Sequence, residues 1–467
     1  MNTRWALPLL ISFAILPQAC ISSDPSASTP PDVSPSLPVG GEGGAPGQPA
    51  GEGGAPVTPV NEGGHAGEDG ASDPALKARL AKHKQRLDAL AEKTLKWWLA
   101  HGPDKEYGGF HGKSLRDGTP DTLATSKNVT AQARHLWSLS AWQAAHAPDA
   151  EVKATAVSTY NFMADYMRDD EKGDFYWSTS RDGQTVVDSR KIHYGQAFVI
   201  LGLSTYGRVF QVNEAKQYAL GVFDSLEPAH DAEHGGYIQK DGSWITVDKD
   251  YGTYLHLLES TTALLQATGE VRVKNRLGEL VDVFVNKMVQ PGGYVREGYN
   301  ADWTPAGGDS VNYGHDLQTS FLVMDAAEAL GREGDASVRG AATTIAENSA
   351  KWGYDAANGG YFERGPVGGG ATAPEKVWWV QFEAMNGLLN VYELTGKVEY
   401  VDRFEAVLGF VEKTWDEPHG EWFWSVKSDG TPGARGAHKG EEWKASYHVM
   451  RSLLRNSAHI SEFLKEN

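Results

Sequence analysis

One small signature recurs six times along the chain: Gly108-Gly-Phe110, Gly173-Asp-Phe175, Gly235-Gly-Tyr237, Gly292-Gly-Tyr294, Gly359-Gly-Tyr361 and Gly420-Glu-Trp422. The copies stand about sixty residues apart, the mark of a chain built from one repeated supersecondary unit. Each copy opens a short stretch of strand and turn character, as in Phe175-Tyr-Trp177-Ser178 before Asp182-Gly183 or Trp422-Phe-Trp-Ser425 before Asp429-Gly430. The periodicity that follows predicts six helices apolar on most of their surface, over 128–147, 194–210, 254–268, 315–330, 378–395 and 443–457. Gly269, Gly331 and Gly396 suit left-handed C-terminal caps on three of them.

More polar helices are predicted over 75–100, 270–289 and 397–415. A helix apolar all round lies inside and an amphipathic one outside. Outer and inner helices therefore alternate from residue 75. Six pairs closing on themselves give an all-α fold, an (α/α)6 barrel or toroid of twelve helices, whose inner helices converge on a central funnel. An open solenoid is the competing arrangement, but its end repeats should be polar and atypical, and these are not.

The 467 residues carry a formal charge of -18, which argues against nucleic acid or anionic lipid as the main partner. A single cysteine excludes an internal disulfide and a thiolate-rich zinc site. That cysteine, Cys20, follows Arg4, the apolar run from Trp5 to Leu16, and Pro17-Gln-Ala19. The order is that of a secretory signal, and the run is too short to span a bilayer. The segment resembles a lipoprotein signal, with Pro17 an unusual residue at its place. The expected organisation is a signal peptide over 1–19, a lipidated Cys20 holding the protein to a bacterial membrane, a Gly/Pro/Ser-rich tether over 20–74, and a barrel over 75–467. Plain secretion is the alternative, and both place the mature protein outside the cytoplasm. The tether repeats Gly41-Glu-Gly-Gly-Ala-Pro46 as Gly51-Glu-Gly-Gly-Ala-Pro56 and has too few large apolar side chains to order itself.

If the ring closes, the first turns of the inner helices and the loops before them share one end of the funnel. They carry Arg134; Tyr194 and Gln196; His256 and Glu259; His315 and Asp316; Trp378, Trp379, Gln381 and Glu383; and Trp443, Tyr447, His448 and Arg451. Polar side chains on otherwise apolar helices are costly unless partnered or functional. His256 and Glu259, three apart, share a helical face, so the carboxylate can orient the imidazole. Two imidazoles from separate helices can flank a substrate carbon and move a proton beside a carbonyl. The fixed guanidinium of Arg134 suits an oxygen that gains charge. Trp177, Trp378, Trp379 and Trp443 offer faces for sugar rings.

Blander readings stand beside these. Arg134 can be a structural ion-pair partner, one of Trp378 and Trp379 core, and Asp316 a residue favoured by the helix dipole. Asp169-Asp170 reads as a solvated helix end, and His193 and His438 have no evident partner. His256 and Glu259 supply two metal ligands but no third or fourth follows at a recognisable spacing, so no metal or cofactor is expected.

Six segments in order resemble a known family: Gln132-Ala-Arg134-His-Leu-Trp137, Tyr194-Gly-Gln-Ala-Phe198, His256-Leu-Leu-Glu259, Tyr313-Gly-His-Asp316, Lys376-Val-Trp-Trp-Val-Gln381 with Glu383, and Trp443-Lys-Ala-Ser-Tyr-His448. Together they are similar to the motifs of the N-acylglucosamine 2-epimerase superfamily, which includes cellobiose 2-epimerases and mannose isomerases. The resemblance covers nearly all of 75–467. It implies the (α/α)6 barrel and metal-free 2-epimerisation or aldose-ketose isomerisation at the reducing end of a sugar. It also implies His256 and His448 as the acid/base pair, Arg134 on the enediolate oxygen, Glu259 supporting His256, and Trp443 as a stacking wall. Tyr194, Gln196, His315, Asp316, Phe321, Glu383, Trp177, Trp378 and Trp379 complete the expected substrate-binding set. Gln196, Gln318 and Phe321 depart from the pattern, which has His, Glu and Trp at the matching places. A glycoside hydrolase or lyase on the same barrel, built on opposed carboxylates among Glu259, Asp316 and Glu383, and a non-catalytic surface glycan-binding protein are the alternatives.

Overall fold

The computed structural model describes residues 73–372, 374–434 and 438–466, so the signal segment, Cys20 and the tether up to residue 72 lie outside the described residues. Twelve α-helices follow one another: α1 Pro74–His101, α2 Val129–Ala145, α3 Ala150–Phe162, α4 His193–Val209, α5 Asn213–Leu226, α6 Tyr251–Thr268, α7 Val271–Val283, α8 Tyr313–Leu330, α9 Ala336–Trp352, α10 Trp378–Thr395, α11 Glu399–Lys413 and α12 Tyr447–Glu466.

Sequence pattern decides which helices face in. In α4 every residue from Gly195 to Gly207 is buried, so the helix is covered on all sides. In α5 burial is confined to Ala215, Ala219, Leu220, Val222, Phe223 and Leu226, the single stripe of an outer helix. The even-numbered helices form the inner ring, in which α2, α4, α6, α8, α10 and α12 each touch the next and α12 returns to α2. Each inner helix from α2 to α10 packs on the outer helix that follows it, and α12 takes α1. The ring is thus closed by its first and last helices, aided by Ser457 on Asp88 and by ion pairs from Arg79 and Arg86 to α11. The C-caps fall where the glycines predict, with Gly269, Gly331 and Gly396 at φ of 69°, 73° and 70°.

Two boundaries differ from expectation. The last inner helix starts at Tyr447, so Trp443 belongs to the loop before it, and the helix runs on to Glu466. Helix α6 starts three residues earlier than its periodicity suggests, because Asp250 caps it by accepting from the Thr253 N–H at 2.8 Å.

The glycine-aromatic segments are tight turns at the ends of the outer helices, each closed by a small antiparallel pairing such as Pro103 with Phe110 or Tyr354 with Tyr361. A side chain from the next inner helix grips the turn. Gln132 accepts from Phe110 N–H at 2.8 Å and donates to its carbonyl at 3.0 Å. Gln196 does the same to Phe175, Gln381 to Tyr361, and the Tyr254 hydroxyl to Tyr237. Each is the fourth residue of its helix. The glycines are required there: a Cβ on Gly360, at φ 77°, would sit 2.7 Å from the Gln381 oxygen.

In five of the six copies an aspartate heads the turn and a lysine neutralises it, two residues before the inner helix in four of them, at 3.1 Å for Lys127 and Asp104 and 2.8 Å for Lys376 and Asp355. The other three pairs are Lys191 with Asp169, Lys249 with Asp231 and Lys439 with Asp416. Asp169 is therefore a buried ion-pair partner and not a solvated helix end. The fourth copy has lost both charges together, with a Gln290–Tyr294 hairpin and Val311 in their places.

Candidate active site

Counting along each inner helix sorts its polar residues into directions. The sixth residues of α2, α4, α6, α8 and α10 are Arg134, Phe198, His256, Gln318 and Glu383, and the ninth are Trp137, Leu201, Glu259, Phe321 and Asn386. These positions lie three apart on one helical face. Tyr447, His448 and Arg451 of α12 meet them from the remaining side, as the contacts below show. The fourth residues instead point to the glycine turns.

The registers separate the expected site residues. Gln196 spends both ends of its amide on Phe175. Asp316, the fourth residue of α8, accepts from the Val295 backbone and from Tyr251 Oη at 3.0 Å, and faces Ser349 of α9. Burial pushes its carboxyl well above the usual range. Both residues hold turns in place and neither reaches the funnel with a free polar atom. Phe321 is fully buried, with Arg451 above it at 5.3 Å and Arg455 at 4.7 Å, so it floors the funnel and presents no face to a sugar.

At the centre lies one guanidinium between two carboxylates. Arg451 donates Nη1–H to Glu259 at 2.7 Å and Nη2–H to Glu383, and the Gln318 amide oxygen, turned toward it, accepts from Nη2 at 2.7 Å. Each carboxylate holds a histidine: His256 Nδ1 lies 3.2 Å from Glu259 and His448 Nδ1 lies 2.6 Å from Glu383. Tyr447 donates to Glu259 as well. Arg451 is the residue that sequence reasoning placed in the funnel without giving it a role; its spacing of three from His448 was the available signal.

Burial pushes the His256 imidazole down to about 4 against the pull of Glu259. It pushes His448 and His315 well below the usual histidine range. Burial would raise Glu259, but the charge of Arg451 and the bonds from His256 and Tyr447 outweigh it and hold the carboxyl at about 2. Glu383 moves the other way, raised by burial with Arg451 opposing. All three imidazoles are thus neutral near pH 7, the form in which one nitrogen can accept a proton.

His315, the third residue of α8, is half-buried and its Nδ1 has no hydrogen-bond partner. Its ring lies 5.1 Å from that of Trp379, which in turn lies 5.5 Å from His448. Trp378 is buried and meets His448 edge-on, whereas Trp379 is only half-buried, so Trp378 is the core residue and Trp379 the one of the two with surface left for a ligand. Arg134 donates to the Trp443 carbonyl at 2.8 Å and to Tyr194 Oη at 2.7 Å, over the ring of Phe198 at 4.2 Å. Among the described residues it has no carboxylate partner, so it is not the ion-pair residue of the blander reading.

At the mouth, Trp443, Trp177 and Trp244 form a three-indole corner, with Trp244 5.3 Å from each of the other two. Trp244 is 51% exposed and was not anticipated, since a loop residue has no helical register. Its loop is anchored by Asp241, which accepts from His193 N–H at 2.9 Å and faces its imidazole at 3.3 Å, and by Arg190 on Gly242. His193 and His438 thus both have partners, His438 pairing with Asp121 at 2.9 Å. Among the described residues no three His, Cys, Asp or Glu side chains converge as a metal set.

The sequence pattern of the N-acylglucosamine 2-epimerase family matches residues 83–452. A cellobiose 2-epimerase of Bacteroides fragilis is 28% identical over 383 residues, which cover 78% of this chain and 96% of that protein. A D-mannose isomerase of Marinomonas mediterranea is 24% identical over 79% of this chain and 95% of its own. The solved structure of the cellobiose 2-epimerase from Spirochaeta thermophila superposes with a TM-score of 0.77 at 30% identity, over 84% of this chain and all of that one. Barrel, funnel and relatives define a carbohydrate isomerase of the sugar 2-epimerase and isomerase class. The chain belongs to the N-acylglucosamine 2-epimerase family.

Proposed function

We propose that the protein interconverts sugars at the reducing end of a mono- or disaccharide, by 2-epimerisation or aldose-ketose isomerisation through an enediolate, with no metal required. A base takes the C2 proton of the open-chain aldose and the electron pair moves onto O1. Reprotonation of C2 from the other face, with the electron pair returning from O1, gives the epimer, and reprotonation at C1, with the O2 proton passing to O1, gives the ketose. The observation that carries this reading is the convergence of three neutral imidazoles and the carboxylate-free guanidinium of Arg134 on one funnel. Glu259 and Glu383 grip the same Arg451, and Asp316 is bonded to Tyr251. None of the three stands free to protonate a glycosidic oxygen, which disfavours the hydrolase reading.

His448 is one acid/base. His315 serves as its partner, because it is the more exposed imidazole, has a free Nδ1, and shares the Trp379 platform with His448. His256, wedged 4.3 Å from Phe198 with its Nδ1 on Glu259, then joins Arg134 at the oxygen. The pair expected from sequence, His256 with His448, remains the second reading, favoured by α6 and α12 standing opposite each other in the ring.

NMR of candidate sugars in deuterated water tests both. Deuterium at C2 with a new epimer, or at C1 with a ketose, supports the chemistry; a cleaved glycosidic bond overturns it. His448→Asn and His315→Asn should each lose two to four decades of turnover. If His256→Asn instead abolishes C2 exchange while His315→Asn retains it, the second reading replaces the first.

We further propose that the mature protein is held outside the cytoplasm by a lipid on Cys20, a reading supported by the order of the signal-like segment. Intact-mass measurement of membrane-extracted protein should show a chain starting at an acylated Cys20. An unmodified thiol there removes the anchor.

A further inference from the structure

We propose that Arg451 is a positioning residue that couples His256 and His448, so that the two imidazoles, anchored on opposite helices, titrate as one system. The inference rests on the functional reading only for its kinetic consequence. Its basis is the unbroken chain His256, Glu259, Arg451, Glu383, His448, every link of which is a hydrogen bond between buried side chains. Arg451 is 5% exposed and its two terminal nitrogens are divided between the two carboxylates.

Geometry makes the coupling obligatory. Each carboxylate is shared between one imidazole and the common guanidinium, so a proton arriving on either histidine draws on a carboxylate that Arg451 also uses. Inside a low-dielectric core such a change is felt along the whole chain. The guanidinium fork is what allows one cation to serve two acids; a lysine is a point charge and cannot span both in plane.

Other charged and titratable groups face this chain without breaking it. From α2, Arg134 acts on both imidazoles with the same sign as Arg451. On α12 itself, Tyr447 donates to Glu259 and also receives a hydrogen bond from Arg451. From α8, the neutral Gln318 accepts from Arg451, so that helix adds no third negative charge beside it, while one turn deeper Asp325 is satisfied by Arg455 at 2.9 Å. His315 of α8 is repelled by both His256 and His448 but has no bond into the chain. Among the described residues Arg451 is therefore the one hydrogen-bonded bridge between the two histidine-carboxylate pairs.

The test needs no substrate, so it stands apart from the choice of sugar. The imidazole Cε1 signals of His256 and His448, labelled with carbon-13, are followed by NMR against pH in the full chain. In Glu383→Gln, which removes a carboxylate next to His448 only, both titrations should move down together, because Arg451 loses half its neutralisation and its charge then bears more on His256. In Arg451→Met both should move up by about 1 to 3 units, and in Arg451→Lys by less. A Glu383→Gln protein in which His448 shifts and His256 does not overturns the proposal, whatever the enzyme's activity. If Arg451→Met fails to fold, the Glu383→Gln comparison still decides. Kinetically, Arg451→Lys should lower kcat and shift the acid limb of the pH profile with KM little changed. An unshifted profile with a loss in KM alone would make Arg451 a packing residue.

Discussion

Arg134 Nη2 donates to Tyr194 Oη at 2.7 Å, and among the described residues no carboxylate pairs with the guanidinium. A buried cation satisfied only by a phenol and a carbonyl keeps its charge available, and its Nε has no hydrogen-bond partner in the protein. In the proposed reaction it meets the oxygen on which charge develops. Arg134→Met should lower kcat by about two to three decades while a substrate analogue unable to form an enediolate binds nearly as well. Equal losses in analogue binding and kcat would make Arg134 a ground-state binding group.

The titrations set the sign of the pH dependence of stability. His256 is lowered from 6.5 to about 4 in the folded chain, so its contribution is complete above the unfolded value and is lost as pH falls from 6.5 toward 4. Glu259 is lowered from 4.5 to about 2, and its contribution is complete above 4.5 and lost on the way down to 2. These two groups therefore pull the Tm down in two successive stages as pH falls below 6.5, the lower stage being shared with other depressed carboxyls such as Asp104 and Asp231. Glu259→Gln should lose less Tm than the parent between pH 4.5 and 3, a difference that paired Tm series from pH 3 to 8 read directly.

Gln381 closes the turn at Tyr361 with both ends of its amide. Gln381→Met keeps the volume but strands a buried N–H and C=O, a cost of about 1–3 kcal/mol for each unsatisfied group. A lowered Tm with kcat unchanged per folded molecule is the expected result. The same should hold for Gln196→Met, whereas loss of kcat at full stability would return Gln196 to the sugar site.

Trp244 completes the indole corner from an anchored loop. Under the proposed function it stacks the second ring of a disaccharide beyond the reacting one. Trp244→Ala should raise KM for a disaccharide roughly two- to tenfold and leave KM for the corresponding monosaccharide and the Tm unaltered. A parallel rise for the monosaccharide would place Trp244 at the reacting ring.

The ring was legible because its signal is periodic: six glycine-aromatic turns and alternating apolar and amphipathic helices have one closed solution, and Gly269, Gly331 and Gly396 end helices where predicted. The site was less legible because residues only two apart in a helix point to different places. Gln196 and Asp316 share the fourth position with Gln132 and Gln381 and turn to the loops, while His256 and Glu383 share the sixth and turn inward. Read by register, the sequence would have made that division. Trp443 could not be placed so, since the helix it was assigned to begins four residues later at Tyr447. The aspartate-lysine pairs were missed because their members lie 18 to 23 residues apart, with only the repeat of the spacing to betray them.

Helix α1 has no inner partner until α12 exists, and α12 also carries His448 and Arg451. During synthesis ten helices can assemble as an open arc with an apolar seam, but the seal, His448 and Arg451 are all absent from it. Under the proposed function, catalytic competence and topological closure are therefore acquired in the same step, and a nascent or truncated arc stays inert until its last helix seats.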